Sequence, residues 1–350
     1  MPNIFLFLML SDDNNLVGTI PSELAQLTSL EELDLGTNIL TGPIPSDLGL
    51  LPNLSILILY ENTLTGPIPP ELGNLTSLTN LNLDTNTLTG PIPPELGQLS
   101  NLIDLQLNSN QLVGQIPPEL SNAASLQRLD LYYNMLTGQI PPELGNLTSL
   151  TNLDLLFNML TGPIPPELGQ LSSLLALLLQ NNNLTGPIPP ELGNLTSLES
   201  LFLYNNMLTG PIPPELGALV NLRFLWLDSN MLQNGPDGTA VPNATCEAFF
   251  DGTYFSLKLD NEFGNFTLIS GSSLEPALSE CKNATFASSA GMNRGELDPS
   301  PFVIDEDVQG HTIPEEIEED VVSTTSSVAS TTMKKAKTAK SAKKAKSAKS

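Results

Sequence analysis

The sequence predicts an α/β-type repeat solenoid, with short parallel strands stacked coil upon coil and irregular or 3-10 structure opposite them. Three observations carry this. Asparagine stands at Asn14, Asn38, Asn62, Asn86, Asn110, Asn134, Asn158, Asn182, Asn206 and Asn230, each step 24 residues. Glycine recurs with the same step from Gly18 to Gly210. The phrase Leu78, Leu81, Leu83, Asn86, Leu88, Gly90, Ile92, Pro93 returns almost unchanged along the chain. A fixed period of this length marks a one-dimensional repeat architecture.

Each element of the phrase has a physical role. In Leu81–Asn82–Leu83 apolar and polar residues alternate, which is strand periodicity. Successive strands stack in parallel, about 4.8 Å apart. Their leucines point inward, and neighbouring coils complete the core. Asn86 and its equivalents turn the chain, and their amides can satisfy backbone groups of adjacent coils. Gly90 tolerates the backbone that follows. Pro93–Pro94 excludes a regular helix and favours extended or tight-turn structure. Aromatic residues make up only 5% of the chain, so leucine carries the core.

The pattern LxxLxLxxNxLxGxIPxxLG, over about residues 6–235, resembles the plant-type leucine-rich repeat. That type builds the ectodomains of receptor-like kinases and receptor-like proteins, and the polygalacturonase-inhibiting proteins. The resemblance implies a right-handed superhelix with a parallel concave β-sheet and an irregular/3-10 convex side. It also implies that the concave strands bind a protein, peptide or glycan ligand. The family's kinase domain, membrane helix and paired-cysteine N-terminal cap have no counterpart in this sequence. The chain opens inside a repeat, with Leu6 and Met9 in register and Ser11 where leucine belongs. An uncapped first coil exposes an apolar edge, so the expectation is a truncated start or a covering partner.

Beyond Asn230 the pattern fades. Leu257, Leu259 and Glu262 read as one degenerate last coil, bracketed by Cys246 and Cys281. Two cysteines and a remote single histidine do not make a metal site, and one disulfide is the simple reading. Arrays of this type commonly end in a disulfide-tied cap. The expected organisation is therefore a solenoid of about ten repeats over 1–235, a degenerate repeat and disulfide-tied cap over 236–290, and a disordered acidic then Lys-rich tail over 291–350.

Charge is divided along the chain. Of the 13 basic residues only Arg128, Arg223, Lys258, Lys282 and Arg294 precede residue 334, and the formal net charge is −25. An acidic body argues against nucleic-acid binding by the folded part. In the tail, Lys334, Lys337, Lys340, Lys343, Lys346 and Lys349 recur every third residue among Ala, Ser and Thr. That spacing resembles the lysine clusters of silaffins, which implies silica targeting. A solubilising polyampholyte, a linker-histone-like contact to nucleic acid, and attraction to anionic polysaccharide or lipid are the other readings. All but the solubilising one act by counterion release from a polyanion.

The register also names the residues facing outward. The column between the strand leucines runs Asp34, Ile58, Asn82, Gln106, Asp130, Asp154, Leu178, Phe202, Trp226. With the two columns flanking it, three zones emerge. Ile56, Ile58 and Tyr60 form a small apolar spot near the N-terminal end. Asp84, Asp104, Asp130 and Asp154 make the middle acidic. Leu178, Phe202, Tyr204, Phe224 and Trp226 form an aromatic cluster toward the C-terminal end. Large apolar side chains at solvent-facing positions mark a ligand or partner site. The competing reading is that the cap folds over Phe224 and Trp226.

Little else points to chemistry. Asp130 and Asp154 are expected to stand roughly 5 Å apart, a glycosidase-like separation, but an open strand surface offers no pocket and little desolvation. Arg128 is placed to compensate Asp104 and Asp130. The lone His311 lies in the acidic tail, which excludes a Ser–His–Asp triad, and the glycines follow no phosphate-loop spacing. No cofactor is expected. Sequons at Asn74, Asn146, Asn183 and Asn194 come with the repeat. Asn243, Asn265 and Asn283 lie outside it and, with the cysteine pair, favour an extracellular or cell-surface location. Against this, Ile4–Leu10 makes a poor signal peptide. No stretch reaches the ~20 apolar residues of a membrane span.

The expected function is therefore a non-catalytic recognition module. The alternatives are a structural wall or matrix protein that binds a polyanion through its tail, and an enzyme inhibitor of the polygalacturonase-inhibiting kind.

Overall fold

In the computed structural model, residues 15–233 are described in full, and the backbone alone at 6–9, 256–261 and 264–269. The strand leucines build one sheet of twelve strands, which runs from β1 (Leu6–Met9) and β3 (Leu30–Asp34) to β19 (Phe224–Trp226), β21 (Ser256–Asn261) and β22 (Gly264–Ile269). Neighbours pair in parallel with the 24-residue offset of the repeat, as in Leu105, Leu129 and Leu153 across β9 (Asp104–Gln106), β11 (Arg128–Asp130) and β13 (Asn152–Asp154). These leucines are fully buried. One continuous core of leucine and isoleucine runs from Ile20 to Leu232.

A second sheet, of ten short parallel strands from β2 (Val17–Thr19) to β20 (Met231–Leu232), follows the asparagine turns. The sequence reading had expected only irregular or 3-10 structure there. In the Leu-Thr-Gly phrase the leucine points inward while the threonine stays at the surface, as in Leu136 and Thr137. Adjacent strands pair with an offset of 22 residues, as in Gly138 opposite Leu160. The expected 3-10 turns then follow, such as Pro94–Gln98, in which Pro93 is extended (φ −66, ψ 127) and Pro94 opens the turn. Proline suits that place because its missing N–H has no partner in a first turn. No α-helix occurs among the described residues.

The asparagines hold the coils together. Asn134 Nδ2 donates to the carbonyls of Leu107 (3.0 Å), Leu131 (3.1 Å) and Tyr132 (3.3 Å), and its Oδ1 accepts from the Leu112 amide (3.0 Å). The same set recurs at Asn62, Asn86, Asn110, Asn158, Asn182 and Asn206, with only the distances changing by tenths. Each asparagine thus satisfies backbone groups that the turn would strand in the core. The residue before it takes positive φ whatever its type, as at Tyr133 (+49) and Phe157 (+48). Side chains other than glycine adopt this conformation only where the surroundings enforce it. A different constraint governs the glycine of the 3-10 turns. A Cβ on Gly97 would stand 2.0 Å from the Glu119 carbonyl oxygen of the next coil.

Both ends depart from the simple period. In β1, Leu6 opposes Leu30, the register then shifts, and Leu8 opposes Leu33 while Met9 opposes Asp34. Leu8 therefore holds the position expected of Met9, because the shift lets two leucines two residues apart match partners three apart. At the other end Leu257 opposes Leu225 as a further coil requires. β22 then returns antiparallel to β21, a hairpin that the periodicity did not announce. Asn265 lies within β22. Cys246, Cys281, Asn243, Asn283, Glu262 and the lysines of the tail lie outside the described residues.

Candidate ligand-binding face

Strand alternation decides what faces outward on the larger sheet. Leu129, Leu153, Leu177, Leu201 and Leu225 turn into the core, so the residues beside them turn out. The registers place Asp130, Asp154, Leu178, Phe202 and Trp226 side by side in one row, across β11, β13, β15 (Ala176–Leu178), β17 (Ser200–Phe202) and β19.

The aromatic cluster assembles as the columns imply. Phe202 stacks on Trp226 with ring centres 4.3 Å apart and planes 10° apart. Phe224 meets Phe202 edge-on at 6.3 Å, and Tyr204 leans on Phe202 at 6.5 Å and on Trp226 at 6.0 Å. Leu178 is the strand partner of Phe202. All five side chains are half-buried, so each keeps part of its surface exposed. Stacked and tilted pairs at these distances are favourable ring arrangements.

The N-terminal spot is smaller. Ile56 and Ile58 are half-buried on β5 (Ile56–Ile58). Tyr60 lies down over the backbone of the previous coil, since a Cβ on Gly36 would stand 2.5 Å from its Cε1. One feature was missed from sequence. Tyr133 stacks on Phe157 at 4.4 Å and 11°, with Tyr132 edge-on at 5.8 Å. The signal available was an aromatic residue just before the turn asparagine in two successive coils.

Between these zones lies the acidic band. Asp130 is buried at 8% exposure. Arg128 reaches it with Nη1 3.6 Å from Oδ2 and reaches Asp104 with Nε 3.9 Å from Oδ1. Loss of water pushes Asp130 up to about 7; Arg128 opposes the rise and Asp104 adds to it. Asp154 is raised well above the usual carboxylate range by desolvation and by Asp130, although the Leu156 amide donates to it at 3.1 Å. Desolvation also raises Asp104, against a hydrogen bond from Gln106 at 2.9 Å, and Asp84, against bonds from Thr85 and Asn108. Desolvation and then Asp84, Asp154 and Asp130 raise the Tyr132 phenol. The expectation of little desolvation here is therefore corrected. Packed neighbours withdraw water from these carboxyl groups.

Among the described residues no group of three carboxylate, histidine or cysteine side chains could hold a metal ion.

Comparison with known proteins agrees with this geometry. The leucine-rich-repeat model matches eight segments: 29–51, 53–75, 77–99, 101–123, 125–147, 149–171, 173–195 and 197–219, together over half of the chain. Among solved structures, the plant peptide hormone receptor RGFR1 in complex with RGF2 is 40% identical with a TM-score of 0.64, over 71% of this chain and 38% of that one. The Arabidopsis receptor kinase HAESA, in complex with the peptide hormone IDA and the co-receptor SERK1, is 40% identical with a TM-score of 0.60, over 62% of this chain and 36% of that one. The chain thus spans little more than a third of either receptor. A plant ice-binding protein is 33% identical with a TM-score of 0.56, over 64% of this chain and 72% of that one. No curated protein sequence matches. No helix among the described residues is long and apolar enough to cross a membrane. The repeat phrase, the paired parallel sheets, the asparagine ladder and the matched segments lead to one assignment: this chain belongs to the leucine-rich-repeat family.

Proposed function

We propose that this chain is an extracellular, non-catalytic recognition module that binds a peptide along its larger sheet, anchored by Phe202, Tyr204 and Trp226 with Leu178 and Phe224 beside them. The observation that carries the reading is an open platform of stacked rings at positions where the fold requires only a solvent-tolerant side chain. Rings of this kind dominate binding energy where they are half-buried and preorganised. Two structural neighbours bound to peptide hormones support the ligand class. Ile56, Ile58 and Tyr60 offer a second contact farther along. Sequons at Asn243, Asn265 and Asn283 with the pair Cys246 and Cys281 support export.

The test is to pan the full-length chain against a random-peptide library on phage and to measure the enriched peptides by fluorescence polarisation. Phe202→Ala with Tyr204→Ala is expected to weaken them at least tenfold. An empty selection, or peptides indifferent to this double change, would refute the reading. In the same proposal the lysines from Lys334 to Lys349 tether the chain to a polyanionic wall material such as silica or acidic polysaccharide. Deleting 334–350 then releases the chain, and raising salt releases the intact chain.

A second reading rests on the other sheet. Thr41, Thr65, Thr89, Thr137, Thr161, Thr185 and Thr209 recur at one surface position of its strands, and an ice-binding protein is among the structural neighbours of the chain. Thermal hysteresis that disappears with Thr137→Tyr and Thr161→Tyr would establish it. Its absence would leave the peptide reading alone.

A further inference from the structure

The middle of the larger sheet has a chemistry of its own. Asp130 and Asp154 are strand partners, and Asp104 is the strand partner of Arg128. Asp84 lies one coil before Asn108, which donates to it. Between residues 15 and 233 the only basic side chains are Arg128 and Arg223. Of these Arg128 alone meets the band, and at 3.6 and 3.9 Å it is a loose partner shared by two carboxylates. Asp154 receives a single backbone amide.

Neutral acceptors make the imbalance larger. Asn108, 2% exposed, has already committed its amide nitrogen to Asp84, and its Oδ1 is buried without a hydrogen-bond partner. Asn80, strand partner of Asp104, has a buried Oδ1 in the same state. Gln180, 1% exposed, holds an unpartnered Oε1 two coils beyond Tyr132 in the same column. Buried acceptors of this kind are normally satisfied. Carboxyl groups that share one loose cationic partner, with unpartnered carbonyl oxygens buried beside them, are complementary to a group that brings several N–H donors and positive charge.

Resting on the peptide reading above, we propose that Asp130 and Asp154, with Asp104 and Asn108 beside them, form a subsite for one arginine or lysine of the bound peptide. The described residues hold no set of ligands for a metal ion, which leaves a guanidinium or ammonium on a long arm. A guanidinium presents its five donors in a planar fork and so matches two carboxylates on neighbouring strands better than an ammonium does. The distance to the anchor sets the ligand's spacing. Phe202 lies two strands beyond Asp154, about 10 Å at the usual strand separation. An extended chain covers that in about three residues. The ligand class is therefore a peptide with a basic residue about three positions from an aromatic or large aliphatic one.

The same phage selection tests this, run in parallel on the full-length chain, on Asp130→Asn with Asp154→Asn, and on Glu143→Gln with Glu167→Gln from the 3-10 turns. The last pair removes two carboxylates away from the sheet and controls for attraction to an acidic body. The unaltered chain and the control are expected to enrich peptides with the basic and apolar residues at the stated spacing. The Asp130, Asp154 variant should keep the apolar preference and lose the basic one. In an enriched peptide, Arg→Gln should weaken binding at least tenfold to the unaltered chain and less than twofold to that variant. Enriched peptides without a basic residue would overturn the subsite and leave the aromatic anchor standing, as would an Arg→Gln effect equal in both chains. A selection that enriches nothing would overturn both. Circular dichroism and retained binding of the apolar-only peptides show that the variant is folded, and on the unaltered chain alone an Arg→Gln effect below twofold would also overturn the subsite.

Discussion

The two sheets are made by the same coils but follow different sequence habits. On the smaller sheet the surface position after the leucine is threonine in coil after coil, with Val113 the exception from Thr41 to Thr209. On the larger sheet the central outward row changes at almost every step, from Asp34 and Ile58 through Asp130 and Asp154 to Leu178, Phe202 and Trp226. Inward positions are alike in both, and nearly all are leucine with no exposure. The difference separates what stacking demands from what it leaves open. Every coil must fill the same cross-section and satisfy the same backbone groups, so those residues repeat. Nothing in stacking selects among aspartate, leucine and tryptophan on the larger sheet, and under the proposed function a ligand selects them.

If that division is correct, the largest loss comes from a residue that looks unremarkable in any one coil. Asn134→Ala strips four hydrogen bonds from buried backbone groups in two neighbouring coils. Leaving such groups unpaired costs about 1–3 kcal/mol each, and with partial relaxation the expected destabilisation is about 4 kcal/mol. Urea unfolding followed by circular dichroism measures it. A loss below about 1 kcal/mol would mean that water replaces the ladder.

The acidic band gives the next effect, with the opposite sign. Asp130 binds its proton more tightly in the folded chain than in the unfolded one, because its folded value is about 7 against an ordinary 3.8. Well below the ordinary 3.8 it is neutral in both states and costs nothing, and at pH 4 the penalty has only begun. As pH rises through 4–7 only the unfolded chain releases the proton freely, so stability falls; above 7 the full penalty remains. Asp154, Asp104 and Asp84 are raised too and act in the same direction, while Arg128 opposes the rise at Asp130. Asp130→Asn is therefore expected to stabilise the chain at pH 8 by about 2 kcal/mol, half of what so large a shift would give in a dry interior. It should change stability little at pH 4. Thermal melts across this range check it, and a variant curve parallel to that of the unaltered chain would show that the carboxylate is solvated.

The framework was legible because each of its requirements repeats. Ten asparagines and the leucines around them specify the coil, its parallel neighbours and the identity of the outward columns. What escaped the period was whatever does not share its step. The smaller sheet pairs with an offset of 22 residues rather than 24, and its strands are two to five residues long, too short to announce themselves. Leu8 took the place expected of Met9 because a register shift is invisible to counting. Among the site residues, the row from Leu178 to Trp226 was readable because alternation alone turns it outward. The stacked pair Tyr133 and Phe157 was not, since it sits at the positive-φ turn position, where the sequence pattern reads only a turn. The raised carboxylates were not readable either, because desolvation depends on neighbours from other coils.

The smallest expected effect is the sharpest test of the comparison, since it sets two adjacent residues against each other. Leu201 is fully buried and Phe202, next to it, is half-exposed. Leu201→Ala opens a cavity in the continuous core and should cost about 3 kcal/mol. Phe202→Ala removes a larger side chain but leaves no enclosed void. It gives up the stacking on Trp226 at 4.3 Å, a contact of about 1 kcal/mol. Binding should rank the two the other way. At a temperature where both remain folded, Leu201→Ala should keep the affinity for a selected peptide and Phe202→Ala should lose it. If Phe202→Ala instead unfolded the chain as readily as its neighbour does, the ring would belong to the framework. The outward row would then be constrained by stacking after all, and its variation from coil to coil would carry no record of a ligand.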